Sequence, residues 1–421
     1  MKKGFDTLQV RAGYDYSELS GAVAAPIAQT TAYVFSDYEY ARDLFLLKQE
    51  GHIYTRITNP TLEMLEKRVA ALEGANAALA LSSGHSAIFI TMLALASCGD
   101  EIVSSRNIYG GAINLFSVTL KRMGIIVHLV DGDNIEEFDK YTNEKTKAYF
   151  IESIGNPNAD VADITGLSKI ARKNGVPLVV DATFVTPYLQ KPLELGADIV
   201  IHSATKYLTG NGTAMCGIIC DGGTFDYTQG RFPDFTEPDE SYHGIRYAYD
   251  AKAAPLAVKA RVTLLRDIGC CLSPFNAFLV MQGIETLSLR MEKVCKTALA
   301  VAEFLEGHEM VSKVNYPALK SNKNYKLAEE ILPRGAGGVF TFEIKGDREA
   351  GKRFIEKLKI FLHVANVGDA RSLVVHPATT THSQLSEDAL LKSGITVNTV
   401  RLSIGLEDVD DLINDLKQAL N

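Results

Sequence analysis

The chain has 421 residues, 46% of them hydrophobic and 22% charged, which is the composition of an ordinary globular protein and excludes a disordered or collagen-like chain. At roughly 150 residues per domain, this length predicts two or three structural units. Its 43 Lys and Arg against 51 Asp and Glu give a net charge of −8, and without a dense basic run this balance excludes a nucleic-acid-binding protein.

The first sixty residues show little regular periodicity. Residues 1–6 contain two lysines with no apolar stretch behind them, so no signal peptide is expected. A helical period occurs only around 36–48, where Ser36 and Glu39 form a capping box ahead of an apolar stripe. The remainder of this segment is predicted to be an arm that lies against another surface.

A helix is predicted directly after the arm. Asn59 and Pro60 are the residue types that favour the N-cap and the first helical position, and Gly74 marks the end of the helix. The longest apolar stretch, 87–96, is about half of the roughly 20 residues that span a bilayer. We therefore predict a buried helix there and expect no membrane partner.

Between residues 76 and 220, short apolar runs alternate with helical stretches. This alternation is typical of a mostly parallel sheet with helices on both faces, and such sheets bind ligands at the carboxyl ends of their strands. The predicted strands are 77–81, 101–103, 125–130, 148–151, 177–180, 198–202 and 217–220.

The sequence changes character after residue 220. Residues 225–249 are rich in Asp, Tyr, Pro and Gly and are predicted to form a long ordered loop, after which helical sequence resumes at 257–268 and after Pro274. Fewer strands follow before an acidic helix at 407–420. The predicted strands of this last part are 311–316, 338–344, 372–375 and 399–404.

These elements predict an α/β protein in three parts. The parts are an N-terminal arm at 1–58, an α/β domain at 59–268 and a smaller α+β domain at 269–421. The six cysteines form no Cys-x-x-Cys pair, so we expect reduced core thiols and a cytoplasmic protein.

Several common functional motifs are absent from the sequence. It has no Gly-x-Gly-x-x-Gly after a strand, no P-loop and no Gly-x-Ser-x-Gly elbow, which argues against a nicotinamide dehydrogenase, a P-loop nucleotidase and an α/β-hydrolase. His376 and His382 have no standard metal-site spacing and no carboxylate or thiol near them in sequence. No metal is therefore expected.

Reactive side chains follow two neighbouring predicted strands. Asp181 comes directly after the run 178–180, and Ser203, Thr205 and Lys206 follow the run 199–201. Each residue alone is more often a turn or solvent-exposed residue. Together they match what pyridoxal phosphate needs, namely an amine for a Schiff base, a carboxylate for the pyridinium nitrogen and hydroxyls for the phosphate.

Two further segments fit the same cofactor. Ser82-Ser83-Gly84 lies between a predicted strand and a helix start, where backbone N–H groups and the helix dipole favour an anion, although an ordinary helix cap has the same pattern. Tyr109 follows the next strand and could stack on a flat ring or belong to the core.

Over essentially its full length, the chain resembles the Cys/Met-metabolism pyridoxal-phosphate enzymes of fold type I. Within them it is most similar to the O-acetylhomoserine sulfhydrylases, which have about this length and an insertion resembling 232–238 followed by Ser241-Tyr242-His243-Gly244. The motifs that carry the resemblance, in chain order, are 54–61 (YTRITNPT), 82–84 (SSG), 109–111 (YGG), 181–184 (DATF), 203–206 (SATK), 376–378 (HPA) with 381–382 (TH), and 400–405 (VRLSIG).

The resemblance implies a role for each residue of the site. Lys206 would hold the cofactor as a Schiff base, Asp181 would pair with its ring nitrogen, and Tyr109 would stack on the ring and transfer protons. Arg401, assisted by Asn366, would bind the substrate α-carboxylate. The other cofactor contacts implied are Ser83, Gly84, His85, Asn156, Thr183, Ser203 and Thr205, with Tyr54 and Arg56 reaching the phosphate of a neighbouring subunit.

The implied reaction is γ-replacement in methionine biosynthesis, in which O-acetyl-L-homoserine and sulfide give L-homocysteine and acetate. The implied assembly is a cytoplasmic homo-oligomer, a dimer with shared active sites that forms a tetramer. Methionine γ-lyase and cystathionine γ-synthase or lyase are alternatives, and a non-catalytic scaffold of the same fold is a remote one. The nucleophile (sulfide, methanethiol, cysteine or water) and the acyl leaving group (acetyl or succinyl) stay open.

Departures from the family pattern bear on these alternatives. The usual Asp-Asn-Thr is 181–183 (DAT) here, the Gly-His-Gly after the lysine is 210–212 (GNG), and His85 stands where many relatives have Met or Gln. Methionine γ-lyases usually have a cysteine at the position of Gly111, which disfavours the lyase.

Overall fold

The protein is built on two β-sheets that helices cover. A computed structural model describes residues 3–17, 21–46, 48–347, 349–381, 383, 390 and 394–421. The seven-stranded sheet has the order β1-β7-β6-β5-β4-β2-β3, and the five-stranded sheet has the order β10-β11-β12-β9-β8. The strands are β1 Ala77–Leu81, β2 Glu101–Ser105, β3 Ile126–Val130, β4 Thr146–Glu152, β5 Leu178–Asp181, β6 Ile199–Ser203, β7 Gly217–Asp221, β8 Val311–Asn315, β9 Val339–Ile344, β10 Leu362–His363, β11 Leu373–Val375 and β12 Thr399–Ser403.

Helices precede and follow most of the strands. The α-helices are Phe5–Arg11, Tyr38–Phe45, Pro60–Glu73, Gly84–Leu95, Gly110–Asn114, Ile135–Lys140, Ile164–Asn174, Thr186–Leu189, Pro233–Thr236, Tyr247–Asp250, Pro255–Lys259, Arg266–Ile268, Pro274–Ile284, Leu287–Glu306, Tyr325–Ile331, Ala350–Lys357 and Val409–Leu420, with π-helical turns at Leu115–Leu120 and Ala260–Leu265 and 3₁₀ turns at Pro192–Leu195 and Pro377–Thr379. Within the described residues, none of these helices is both long and apolar enough to cross a bilayer.

The large sheet is mostly parallel, as the sequence predicts. Strands β3, β2, β4, β5 and β6 run parallel to one another, while β7 is antiparallel to both of its neighbours. Its central strands are apolar on both faces, since Val180 and Val200 pack into one core cluster while Val179 and Ile199 pack into another. Both faces are therefore covered, which is the usual environment of parallel strands.

The strand register brings the carboxyl ends of β4, β5 and β6 together. Glu152 pairs with Asp181 across β4 and β5, and Asp181 pairs with Ile201 across β5 and β6. Because these strands are parallel, the residues that follow them emerge at one edge of the sheet. This edge is where Asp181 and Lys206 were predicted to meet.

The helix after the arm begins and ends as predicted. The Asn59 side chain accepts a hydrogen bond from the Thr61 N–H, Pro60 is the first helical residue, and Gly74 closes the helix at φ 81°. The capping-box prediction at Ser36 was wrong by one residue, because Asp37 is the N-cap and accepts from the Tyr40 N–H at 2.7 Å. A carboxylate caps a helix as well as a hydroxyl does, and here it is the one within reach.

Two other predictions need correction. The segment 225–249 contains two short helical turns, starting at Pro233 and Tyr247, around an aromatic cluster in which Tyr227 and Phe235 stack at 3.9 Å. All six cysteines are free, but Cys98 is exposed, so not all of them are core thiols. Strand β10 was also missed, because its two residues lie at an exposed sheet edge and lack an apolar pattern.

Candidate active site

A cavity of about 330 Å³ opens at the carboxyl edge of β4, β5 and β6. Every predicted site residue lines it except Tyr54 and Arg56. The predicted residues in its wall are Ser83, Gly84, His85, Tyr109, Asn156, Asp181, Thr183, Ser203, Thr205, Lys206, Asn366 and Arg401, and those not predicted are Ile88, Glu152, Ile154, Phe184, Met215, Ala365, Val367 and Thr381.

Lys206 reaches the cavity from the turn that follows β6. Its Nζ donates a hydrogen bond to the Asn366 Oδ1 at 2.6 Å, which directs the amine into the cavity. Burial lowers the pKa of Lys206, and the nearby charge of Arg401 lowers it further. A lysine with a lowered pKa provides more of the neutral, nucleophilic amine at a given pH.

Asp181 is the last residue of β5 and is only 8% exposed. Its Oδ1 accepts a hydrogen bond from the Thr183 N–H at 2.9 Å, and the Thr183 hydroxyl accepts one from the Ser203 N–H at 2.8 Å. Burial raises the pKa of Asp181, while the hydrogen bonds from Thr183 oppose this rise by stabilising the carboxylate. A buried carboxylate of this kind gains strongly from a cationic partner inside the cavity.

The start of the helix Gly84–Leu95 meets the end of β6 in the cavity wall. Ser83 caps this helix by accepting from the Ser86 N–H at 3.1 Å. A Cβ added at Gly84 would lie 2.5 Å from the Ser203 Cβ, so only glycine lets the two segments approach. The helix N-terminus, the Ser203 hydroxyl and the neighbouring Thr205 together make a compact anion site.

Arg401 supplies the positive charge on the opposite wall. The residue lies in β12 and is 4% exposed, with Nη1 donating to the Asn156 Oδ1 at 2.9 Å and Nη2 donating to the Asn366 carbonyl at 3.4 Å. Burial lowers the pKa of Arg401 to about 10, which keeps the guanidinium charged at neutral pH. Its fork geometry suits a carboxylate.

Tyr109 stands at the cavity mouth, where it is 43% exposed. Its ring meets the His85 ring edge-on, with centroids 6.0 Å apart, and burial lowers the pKa of His85. A Cβ added at Gly111 would lie 2.4 Å from the Tyr109 ring, so glycine is needed for this position of the ring. His85 therefore contributes a side chain that supports Tyr109, a contact that the sequence did not predict.

Tyr54 and Arg56 lie outside this cavity. The Arg56 guanidinium is 5.4 Å from the centre of the Tyr54 ring and donates to the Arg266 carbonyl at 2.9 Å, and both residues are exposed. Within one chain these two residues of the arm lie on a surface separate from the cavity.

The histidine pair considered for a metal is only partly visible. His382 lies outside the described residues, while both ring nitrogens of His376 are hydrogen-bonded, to the Thr379 hydroxyl and the Val397 carbonyl. In the part of the chain that the structure describes, no three His, Cys, Asp or Glu side chains are grouped to hold a metal ion.

Glu152 is the charged residue of the site that sequence reasoning missed. It ends β4 as Asp181 ends β5, and the same strand-end signal could have identified it. Its Oε1 accepts from the Tyr109 N–H at 2.7 Å and its Oε2 from the Asn156 N–H at 3.0 Å. Burial and the neighbouring Asp181 raise the pKa of Glu152 well above its ordinary value.

The residues of the cavity fit pyridoxal phosphate. The cavity is surrounded by an amine, a buried carboxylate, an anion site whose glycine admits no side chain, and a buried guanidinium. Ser203 of the anion site ends β6 and Lys206 lies in the turn after it, while Gly84 follows β1. A group that carries both a phosphate and an aldehyde fits a cavity lined by all three residues.

Known proteins match this chain over nearly its whole length. It is 48% identical to the O-acetyl-L-homoserine sulfhydrylase of Leptospira meyeri, covering 99% of this chain and 96% of that protein. It is also 48% identical to the O-acetyl-L-homoserine sulfhydrylase 1 of Thermus thermophilus, covering 99% of each chain. The homocysteine synthase of Schizosaccharomyces pombe is 44% identical, covering 99% of this chain and 98% of that one.

A solved structure agrees with the fold. The crystal structure of an O-acetylhomoserine (thiol)-lyase from Campylobacter jejuni, with N'-pyridoxyl-lysine-5'-monophosphate, is 40% identical and has a TM-score of 0.96, covering 99% of this chain and 100% of that one. The family model for Cys/Met metabolism PLP-dependent enzymes matches residues 6–421. With its cavity residues, its fold and this full-length match in agreement, the chain belongs to the family of Cys/Met metabolism PLP-dependent enzymes.

Proposed function

We propose that the enzyme catalyses γ-replacement on O-acetyl-L-homoserine with sulfide, giving L-homocysteine and acetate. The Cγ–O bond breaks and acetate leaves with its electron pair, while the sulfur of hydrosulfide forms the new Cγ–S bond. The observation that carries this proposal is the convergence of Lys206, Asp181 and Arg401 on one cavity. The sulfhydrylase and homocysteine synthase names of the relatives support the same substrate class.

Lys206 has two tasks in this reaction. Pyridoxal phosphate, when bound, supplies the electron sink that makes the Cα–H and Cγ–O bonds of an amino acid cleavable. Lys206 would hold the cofactor and, once released, take the proton from Cα and return it at the end. Burial supports this role, because a lowered pKa favours the neutral amine that a general base requires.

Asp181 and Arg401 would orient the reacting groups. The buried carboxylate of Asp181 would hold a proton on the cofactor ring nitrogen, because an anion favours a neighbouring cation in a desolvated site. Arg401 would bind the substrate α-carboxylate, and its contacts to Asn156 and Asn366 hold the guanidinium in place. Tyr109 would stack on the ring and transfer protons.

The surroundings of Tyr109 favour replacement over methionine γ-elimination. Methionine γ-lyases resemble this chain but usually carry a cysteine at the position of Gly111. A side chain there would begin 2.4 Å from the Tyr109 ring and force it to move. Gly111 therefore allows a position of the Tyr109 ring that a cysteine at residue 111 would displace.

The N-terminal arm, residues 1–58, would complete the site of a second copy of the chain. Val23 and Val34 are 86% and 97% exposed on one chain, and burial of these two apolar side chains at an interface would be favourable. Tyr54 and Arg56 would then reach the phosphate of the neighbouring subunit. We propose a dimer with shared active sites that assembles into a tetramer, with the α/β domain at 59–268 and the α+β domain at 269–421.

The free state of the cysteines favours a reducing compartment for the enzyme. All six are free, including the adjacent pair Cys270 and Cys271. Free thiols persist where the redox potential is low. We place the enzyme in the cytoplasm.

A product assay tests the proposed reaction. The holoenzyme is incubated with O-acetyl-L-homoserine plus sulfide and, separately, with methionine alone, and homocysteine and 2-oxobutyrate are measured. We expect homocysteine from the first mixture and no 2-oxobutyrate from the second. O-succinyl-L-homoserine and cysteine serve as matched controls for the leaving group and the nucleophile. Release of 2-oxobutyrate from methionine at a comparable rate would overturn the proposal.

A further inference from the structure

Glu152 occupies a position that neither the cofactor contacts nor the substrate contacts explain. It ends β4, pairs with Asp181 on the neighbouring strand and is 8% exposed. A second buried carboxyl beside Asp181 costs free energy through desolvation and like-charge repulsion. Such a cost indicates a specific task for the residue.

Its contacts identify that task. One carboxylate oxygen accepts from the Tyr109 N–H at 2.7 Å and the other from the Asn156 N–H at 3.0 Å. The two amides belong to different loops, one that leads from β2 to the helix Gly110–Asn114 and one that follows β4. A glutamate joins both loops because it offers two acceptor oxygens, whereas a glutamine offers one.

The connection extends across the cavity. Asn156 accepts from Arg401 at 2.9 Å through its side chain while its N–H is held by Glu152. Tyr109, at the other end, is held through its N–H directly before the helix that starts at Gly110. Glu152, through Asn156, thus connects Arg401 on one part of the cavity to Tyr109 on another.

We propose that Glu152 is a positioning residue, which sets the orientation of Tyr109 and Asn156 toward the cofactor by binding their backbone amides with its two carboxylate oxygens. This inference rests on the proposed roles of Tyr109 and Asn156 but not on the identity of the nucleophile. Its readouts are therefore taken without substrate.

The first experiment compares Glu152→Gln and Glu152→Ala in the holoenzyme. The loss of a hydrogen bond to a charged group weakens an interaction about 10-fold or more. We expect the dissociation constant of pyridoxal phosphate to rise about 10-fold in Glu152→Gln, which keeps one acceptor, and about 100-fold in Glu152→Ala, which keeps none. The visible circular dichroism of the bound cofactor should change in the same order.

Asp198→Asn is the matched control. Asp198 is also a buried carboxylate, 6% exposed, which accepts from the Leu178 N–H at 3.0 Å at the opposite end of β5. This variant should lower the melting temperature and leave the visible circular dichroism unchanged. If the Glu152 variants behave like Asp198→Asn, with only a lower melting temperature, Glu152 is merely structural and the proposal fails.

A second measurement needs no variant. Hydrogen–deuterium exchange in the wild-type holoenzyme should show the amides of Tyr109 and Asn156 protected, since both are bonded to a buried carboxylate. Rapid exchange at both amides would contradict the proposal. A failed product assay with O-acetyl-L-homoserine would leave these cofactor readouts untouched, so the two proposals can fail separately.

Discussion

The cavity at the carboxyl edge of the large sheet and the N-terminal arm differ in which of their side chains are buried. Around the cavity, the charged side chains of Asp181 at this edge and of Arg401 in β12 of the smaller sheet are 8% and 4% exposed, and both have hydrogen-bond partners within the chain. In the arm, the apolar side chains of Val23 and Val34 are 86% and 97% exposed. One region buries its charges, while the other exposes its hydrophobic groups.

This difference distinguishes the residues that one chain brings into its own cavity from those that we expect to act on a neighbouring subunit. The cavity at this edge is lined by the amine of Lys206, the carboxylate of Asp181 and the guanidinium of Arg401 from a single chain. The arm carries Tyr54 and Arg56 outside that cavity, together with the exposed side chains of Val23 and Val34. Substitutions at the edge should therefore impair chemistry in each subunit, whereas substitutions in the arm should act on a neighbouring subunit.

The largest effect is expected at Lys206. Lys206→Ala removes both the residue that holds the cofactor and the base that takes the Cα proton, so kcat should fall about 10⁴-fold or more. Steady-state assays of homocysteine formation measure the loss. Near-normal turnover would refute the catalytic role of this lysine.

Arg401→Met removes the charge that we assign to the substrate α-carboxylate. Since hydrogen bonds to charged groups contribute about 1.5–3 kcal/mol, kcat/KM should fall about 10- to 100-fold, mainly through KM. Burial remains the main cause of the lowered pKa of Lys206, but the charge of Arg401 is the second cause and is lost. The pKa of Lys206 should therefore rise.

A pH profile of cofactor capture by the apoenzyme checks that shift. The reaction needs the neutral amine of Lys206, so its rate rises with pH through the lysine pKa. The midpoint should lie at higher pH in Arg401→Met than in the wild type. An unchanged midpoint would show that the guanidinium does not act on the lysine.

Arg56→Ala should have a smaller effect. Loss of one charge-assisted phosphate contact should weaken cofactor binding about 10-fold, provided that Arg56 reaches the site of a neighbouring subunit. Mixed dimers of Arg56→Ala and Lys206→Ala test this geometry, because one of their two sites would be wild-type in both residues. Recovered activity is expected. A mixed dimer without activity would contradict the assignment of Arg56 to the neighbouring site.

The smallest effect is expected from the substitution of an exposed apolar residue in the N-terminal arm. Val34→Ser removes an exposed side chain whose burial at an interface would contribute about 1.5 kcal/mol per copy. The subunits should dissociate at higher protein concentration than in the wild type, which sedimentation measures. Val10→Ser, at a 41% exposed position in the helix Phe5–Arg11, serves as a comparison substitution of the same type. If both substitutions promote subunit dissociation equally, Val34 has no particular role at the interface.

How well a structural feature was predicted depended on how far apart in the sequence its interacting residues lie. The helix start at Asn59 and the strand-end positions of Asp181 and Lys206 depend on neighbours in sequence, and these predictions were confirmed. The N-cap at Ser36 was wrong because Asp37, one residue on, competes for the same amide groups.

Long-range contacts were not visible in the sequence. The hydrogen bond from Arg401 to Asn156 joins residues 245 positions apart, and only the folded chain brings them together. Glu152 ends a strand as Asp181 does, but its hydrogen bonds were not predictable, because the Tyr109 amide lies in the loop after β2 and only the fold brings it close. The ring contact of His85 with Tyr109 also depends on a glycine two residues beyond the tyrosine.

By itself, the sequence determined the parallel sheet, the reactive groups at its strand ends and the cofactor that suits them, because hydrophobic runs and the residues that follow them are local features. The tertiary structure decided which walls of the cavity face each other, how Glu152 links Tyr109 to Asn156, and which apolar groups of the arm stay exposed. These features arise from packing between distant segments, where burial and hydrogen-bond partners are set by the whole fold.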